Sequence, residues 1–211
     1  MIRVFSQHLV CILLKAQALA LLACGKHAKA LSRFDRMLTL FKTDRYALAS
    51  RAHVLMQLNR LDESIVNLQQ LTGIAGSKVK LGAAWFNLGY VLQQKGRHGE
   101  ALFAFEHAVG YCSGMDQAWY GLALALIEQG RLHEARDVLK KTTILQPMAP
   151  HGWYRLGQVE LALGALEKAL QVVDRLRQFE PKVAAQLKRH IGVHAPYLHR
   201  QREGTAHDNA R

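Results

Sequence analysis

The sequence predicts an all-α fold, a solenoid of about five helical hairpins closed by a short C-terminal helix. Three observations predict it. A turn followed by a helix start recurs five times, beginning at Gly25, Asn59, Gly96, Gly130 and Gly164, in steps of 34, 37, 34 and 34 residues. Trp85, Trp119 and Trp153 stand 34 residues apart, each followed by a leucine three residues on (Leu88, Leu122, Leu156) and an alanine sixteen residues on (Ala101, Ala135, Ala169). Apolar residues inside each copy keep helical spacing. A period of this length belongs to stacked supersecondary units, none of which can bury its apolar face alone.

The spacing places hairpins at 11–44, 45–78, 82–115, 116–149 and 150–183. The first is built around Leu14 and turns at Gly25. The second has Leu48 in the tryptophan place and turns at Asn59. The third has Trp85, Leu88 and Leu92 on one helix and Leu102, Phe105 and Val109 on the next. Gly96 and Gly130 stand between helices, where a residue that tolerates positive φ is expected. Glu100 and Glu134 follow in the first turn of the second helix, near its positive dipole end. Small residues at fixed phase, Gly89 with Ala101 and Ala123 with Ala135, predict close crossings within a hairpin. Residues 73–82 absorb the three extra residues as a longer, glycine-rich connection. Residues 184–191 predict a short, mostly polar capping helix within a cap spanning 184–198, so that 1–198 forms a single solenoid. Residues 199–211 are a mobile polar tail. Glu160 breaks the pattern at an apolar position, which suggests an atypical neighbour or a partly open end.

The run Trp85, Leu88, Gly89, Leu92, Ala101, Phe105 and Ala108, with breakers Ser113-Gly114, Pro147 and Pro181 closing the copies, resembles the tetratricopeptide repeat. The resemblance covers residues 11–183 and is strongest in the last three copies. It implies a right-handed superhelix whose first helices line a concave groove, and a protein–protein interaction scaffold rather than an enzyme. The position after each tryptophan place points into that groove, as do positions on the same face. They give Tyr46, His53, Phe86, Tyr90, Tyr120, Tyr154 and Gln158, with Asn87 and Arg155 beside them. Phe86, Tyr90, Tyr120 and Tyr154 would form an aromatic ladder, since each tryptophan already fills the packing place one residue earlier. Aromatics and arginine are the usual anchors of a binding surface. Some relatives grip a C-terminal carboxylate with Lys and Asn on successive repeats. Lys15 fits that pattern, but Leu19 stands where an Asn is expected.

Half of the 211 residues are hydrophobic, so the chain can bury a core without disulfides or metal. The net charge of +12 sits at the ends: residues 1–60 hold 10 Lys/Arg against 2 Asp/Glu, and residues 61–180 hold 12 of each. Lys26, Lys29, Arg33 and Arg36 share one helix face at steps of 3, 4 and 3. Such a patch solvates an end repeat, or steers an acidic partner toward it. A nucleic-acid or anionic-surface binder using these basic ends is an alternative. Cys11, Cys24 and Cys112 form no CxxC pair, and are expected to be free thiols in a reducing, cytoplasmic setting. Leu21-Leu22-Ala23-Cys24 resembles a lipoprotein box, and the alternative is a lipid-anchored assembly factor of a bacterial envelope. Lys15 and Gln17 interrupt the apolar run that such a signal requires. His190, His194 and His199 have a metal-like spacing, but Gly192 and Pro196 interrupt the helix. No catalytic residues, metal or cofactor are expected, because no phosphate loop, zinc motif or nucleophile elbow is present. His27, His98 and His133 are expected at exposed turns.

Overall fold

The computed structural model describes residues 2–193, with side chains from residue 7. All regular structure among these residues is helical. Helices pair as α1 (Ile2–Ala23) with α2 (His27–Leu40), α3 (Arg45–Gln57) with α4 (Leu61–Gly73), and α5 (Lys78–Gln94) with α6 (His98–Tyr111). Then come α7 (Asp116–Glu128) with α8 (Leu132–Leu145), and α9 (Pro150–Ala162) with α10 (Leu166–Arg177). A further helix, α11, occupies residues 181–193. The helices group into two compact units, Met1–Ser113 and Gly114–Arg211. The tail 199–211 and the end of the 184–198 cap lie outside the described residues.

The five repeated turns share one backbone solution. Gly25, Asn59, Gly96, Gly130 and Gly164 all adopt φ between 57° and 73°. At each, the next residue donates its N–H five residues back: Lys26 to Leu21 O, Arg60 to Leu55 O, Arg97 to Leu92 O, Arg131 to Leu126 O, and Ala165 to Glu160 O. The turn residue itself donates three residues back. This pair of hydrogen bonds satisfies the last carbonyls of the first helix and reverses the chain. Glycine fits because it carries no Cβ penalty there, and asparagine is the other residue that tolerates the region.

The small residues mark the crossings. Ala30, Ala101, Ala135 and Ala169 are fully buried. In the second hairpin Ser64 takes this place, and its hydroxyl donates to Ala52 O at 2.9 Å, tying α4 directly to the backbone of α3. A Cβ on Gly89 would lie 2.9 Å from the Phe105 ring. Around these crossings pack Phe34, Leu55, Leu68 and Phe105 in the first unit, and Leu139, Val173, Leu176 and Leu187 in the second. Each such side chain contributes about 1.5–3 kcal/mol when fully buried.

Two features differ from expectation, and a third decides between two alternatives. The first hairpin, expected over 11–44, already begins at Ile2, so α1 has 22 residues. The connection expected over 73–82 shrinks to residues 74–77, because residues 78–81 lengthen α5 instead. Ser77 caps α5 by accepting from Lys80 N, and Arg45 donates to Ile74 O at 2.5 Å, holding the short loop closed. Gly82 is then a packing residue, since a Cβ there would lie 2.9 Å from Cys112 Cβ. Finally, Glu160 is not at an open end. It is 3% exposed, beside a core that Ala184, Leu187 and Ile191 of α11 help to close. α11 is polar outside and apolar inside, as the cap requires.

Candidate partner-binding surface

First-helix side chains are placed by α3 and α5 in one unit and by α7 and α9 in the other. In α3, Tyr46 is half-buried, edge-on to Phe34 at 6.3 Å between centroids, with Lys15 Nζ 3.9 Å above its ring. His53 is exposed and shares a 3.0 Å contact with Gln57 Nε2. In α5, Phe86 is half-buried with its ring 6.0 Å from that of Phe105, Asn87 is exposed, and Tyr90 is 41% exposed. In α7 and α9, Tyr120 and Tyr154 are half-buried against the core of the second unit. Arg155 Nη1 donates to Gln158 Oε1 at 3.0 Å, so the two side chains form one polar fixture on α9.

The basic face of α2 is where helical phase puts it. Lys26, Lys29 and Arg36 are exposed, and Arg33 is half-buried with an Nε that lacks a partner. The next three hairpins answer the same charge with an acid. Arg60 grips Glu63, Arg97 grips Glu100 and Arg131 grips Glu134, each through two bonds of 2.6–2.7 Å. In the first hairpin the corresponding pair is Lys26 and Lys29, two cations. The guanidinium hydrogen bonds hold the Glu63 and Glu134 carboxyls below the usual carboxylate range.

The tryptophans are not wholly interior. Trp85, Trp119 and Trp153 are half-buried, because an indole lying across a hairpin leaves one edge at the surface. Trp153 Nε1 donates to Pro147 O at 2.9 Å, and Arg175 lies over its ring at 5.9 Å. Trp85 stacks on His107 at 4.5 Å, with Phe103 against both rings. This cluster on the outer side of α6 was legible as the i, i+4, i+8 stripe Phe103, His107, Tyr111, and helical phase on the first helices alone passes over it. A cleft of about 350 Å³ lies at its foot, lined by Glu106, His107, Gly110 and Tyr111. Another, of about 410 Å³, is lined by Lys140, Trp153, Leu156, Glu160, Lys168, Gln171, Val172 and Arg175.

His133 is exposed, but His27 and His98 are half-buried with Nδ1 unpartnered, folded into the turn rather than out from it. Cys24 is exposed, whereas Cys11 and Cys112 are half-buried and free. Burial, then the charge of Asp44, pushes the Cys11 thiol up. Among the described residues no three His, Cys, Asp or Glu are grouped to hold a metal ion, and His194 and His199 lie outside them. No helix of the described residues is long and apolar enough to cross a membrane.

Two stretches match family profiles described as tetratricopeptide repeat, residues 82–113 and 120–184. No curated protein matches the chain. Among solved structures, a MamA protein superposes with a TM-score of 0.75 at 16% identity, over 83% of this chain and 94% of that one. MamA 41-end from Desulfovibrio magneticus RS-1 gives 0.72 at 19%, over 81% and 95%. YrrB, described as a TPR protein with an unusual peptide-binding site, gives 0.70 at 22%, over 82% and 88%. At these identities the likeness is one of fold.

Proposed function

The chain is a tetratricopeptide-repeat protein, and we propose that it is a scaffold or adaptor that holds a partner peptide or helix on the exposed side of its first helices. One observation carries this reading. The residue after each tryptophan is aromatic in three consecutive hairpins (Phe86, Tyr120, Tyr154), and all three rings keep an open edge. A ring that is half-buried and held by the core loses little entropy when a partner covers the rest, which is why such residues anchor interfaces. In the first unit Tyr90 and Asn87 accompany Phe86, with Tyr46 and His53 on the hairpin before. In the second unit Arg155 and Gln158 add polar groups beside Tyr154. The solved relative described as having a peptide-binding site supports the same use of the fold.

Tyr120→Ala with Tyr154→Ala is the test. A tagged chain is used to capture partners, which are identified by mass spectrometry, with the double variant as control. Partners that depend on both tyrosines are expected, with a loss of about 2 kcal/mol or more per anchor in a subsequent titration. If the variant keeps its fold and captures the same partners equally well, the surface lies elsewhere.

A further inference from the structure

Wherever one hairpin follows another within a unit, the new first helix lies on the preceding second helix: α3 on α2, α5 on α4, α9 on α8. Two positions seven residues apart mark that face. They are Ala47 and Val54 in α3, Ala84 and Val91 in α5, and Gly152 and Val159 in α9, all buried. The direction is explicit at Gly152, where a Cβ would lie 3.2 Å from the Thr142 methyl of α8.

The corresponding residues of α1 are Leu13 and Ala20, and both are exposed, Leu13 by 59%. With Leu9, 57% exposed, and Ala16 they form a stripe at 9, 13, 16 and 20. The opposite side of α1 is already used, since Leu14 and Ala18 sit in the core of the first unit. A surface helix needs one apolar stripe. α1 has two, and nothing among the described residues covers the second.

α2 borders this face with charge. In the fifth hairpin a cleft separates α8 from α10, with Lys140 on one wall and Lys168, Val172 and Arg175 on the other. By the repeat period those α10 positions are Lys29, Arg33 and Arg36 of α2. A helix resting on α1 as α8 rests on α9 therefore runs beside three cations. Lys29 and Arg36 are exposed, and Arg33 Nε is buried without a partner.

We propose that this face of α1 seats an amphipathic helix of another protein, with a narrow apolar stripe and a carboxylate-rich flank. The helical occupant follows from the equivalent faces, each of which carries a helix. The acidic flank follows from the row Lys29, Arg33, Arg36. A second copy fits poorly, since residues 1–60 hold 10 basic against 2 acidic residues and pairing two such ends sets like charges together. The seat shares none of the aromatic anchors proposed above, so either surface can fail alone.

The probe is a hydrocarbon-stapled peptide of the α8 sequence, Leu132–Leu145, carrying Lys140→Glu and Lys141→Glu. The unaltered α8 peptide is its control. Fluorescence anisotropy with the full chain should show saturable binding, about tenfold tighter for the acidic peptide and weaker as salt rises. Leu13→Asp with Ala20→Asp should abolish it without changing the circular dichroism spectrum. Lys29→Glu with Arg36→Glu should invert the preference between the two peptides, an outcome that misfolding cannot imitate. Equal affinity for both peptides, no binding, or binding that survives Leu13→Asp with Ala20→Asp overturns the proposal. Capture by phosphatidylserine vesicles without peptide binding assigns the stripe to a lipid surface instead. A self-association in sedimentation that the same pair of substitutions dissolves assigns it to a second copy.

Discussion

Asn59 is the one non-glycine residue among the described residues in the left-handed region, at φ 57°. Asn59→Gly is therefore expected to be tolerated without loss. Gly130→Val, at φ 70° in the same turn one unit on, should cost about 1–2 kcal/mol from Cβ crowding alone. Thermal melts of the two variants check the contrast. Ala135→Leu should cost about 1–3 kcal/mol, because Ala135 is fully buried at a close crossing with no room for a branched chain. Glu160 is the opposite case. The same place in the other hairpins holds Leu21, Leu55, Leu92 and Leu126. Glu160 Oε2 is buried without a partner, which costs about 1–3 kcal/mol unless the group is removed. Glu160→Leu is expected to raise the melting temperature, and a drop would mean that the attraction between Glu160 and Arg136 outweighs the unmet hydrogen bond.

At the scale of the helix, the second helices start without side-chain caps. α4, α6 and α8 instead begin with an Arg–Glu clamp across three residues. These clamps are solvent-exposed, so their effect at neutral pH is small. Their pH dependence has a definite sign. A carboxyl with a lowered folded pKa adds stability above its unfolded value and loses it as pH falls through the folded value. Melting temperature should fall through the acidic range below the usual carboxylate pKa, and Glu63→Gln with Glu134→Gln should flatten that slope. Among the first helices, α3 and α5 do have side-chain caps. Asp44 Oδ1 accepts from Ala47 N at 2.7 Å, and Asp44→Ala should cost about 1 kcal/mol in a denaturant titration.

For the molecule as a whole, charge is segregated from stability. The cations of α2 have no acidic partner among the described residues, while Arg51 pairs with Asp35 and Lys95 with Asp62. Lys26→Glu with Lys29→Glu should leave the melt nearly unchanged. Association with an acidic partner should weaken and lose its dependence on salt, which a titration at two ionic strengths would read. Wild-type association that ignores salt would remove charge from the account.

The period, the helix class and the five turns were determined by the sequence itself. Each rests on a local rule: a left-handed residue ends a helix, apolar spacing selects its face, and small residues mark crossings. The aromatic and basic residues were legible for the same reason, as phase on a helix follows from residue count. What tertiary packing decided was less regular. Only the assembled fold shows that residues 78–81 join α5, because that choice turns on Arg45 reaching across from α3 to the loop carbonyls. Only packing decides that Trp85 shares its surface with His107, or that Glu160 is enclosed. The bare stripe of α1 is the clearest instance. Leu13 and Ala20 read like any buried pair at seven-residue spacing, and their exposure depends on whether another helix lies against them, which no local pattern encodes.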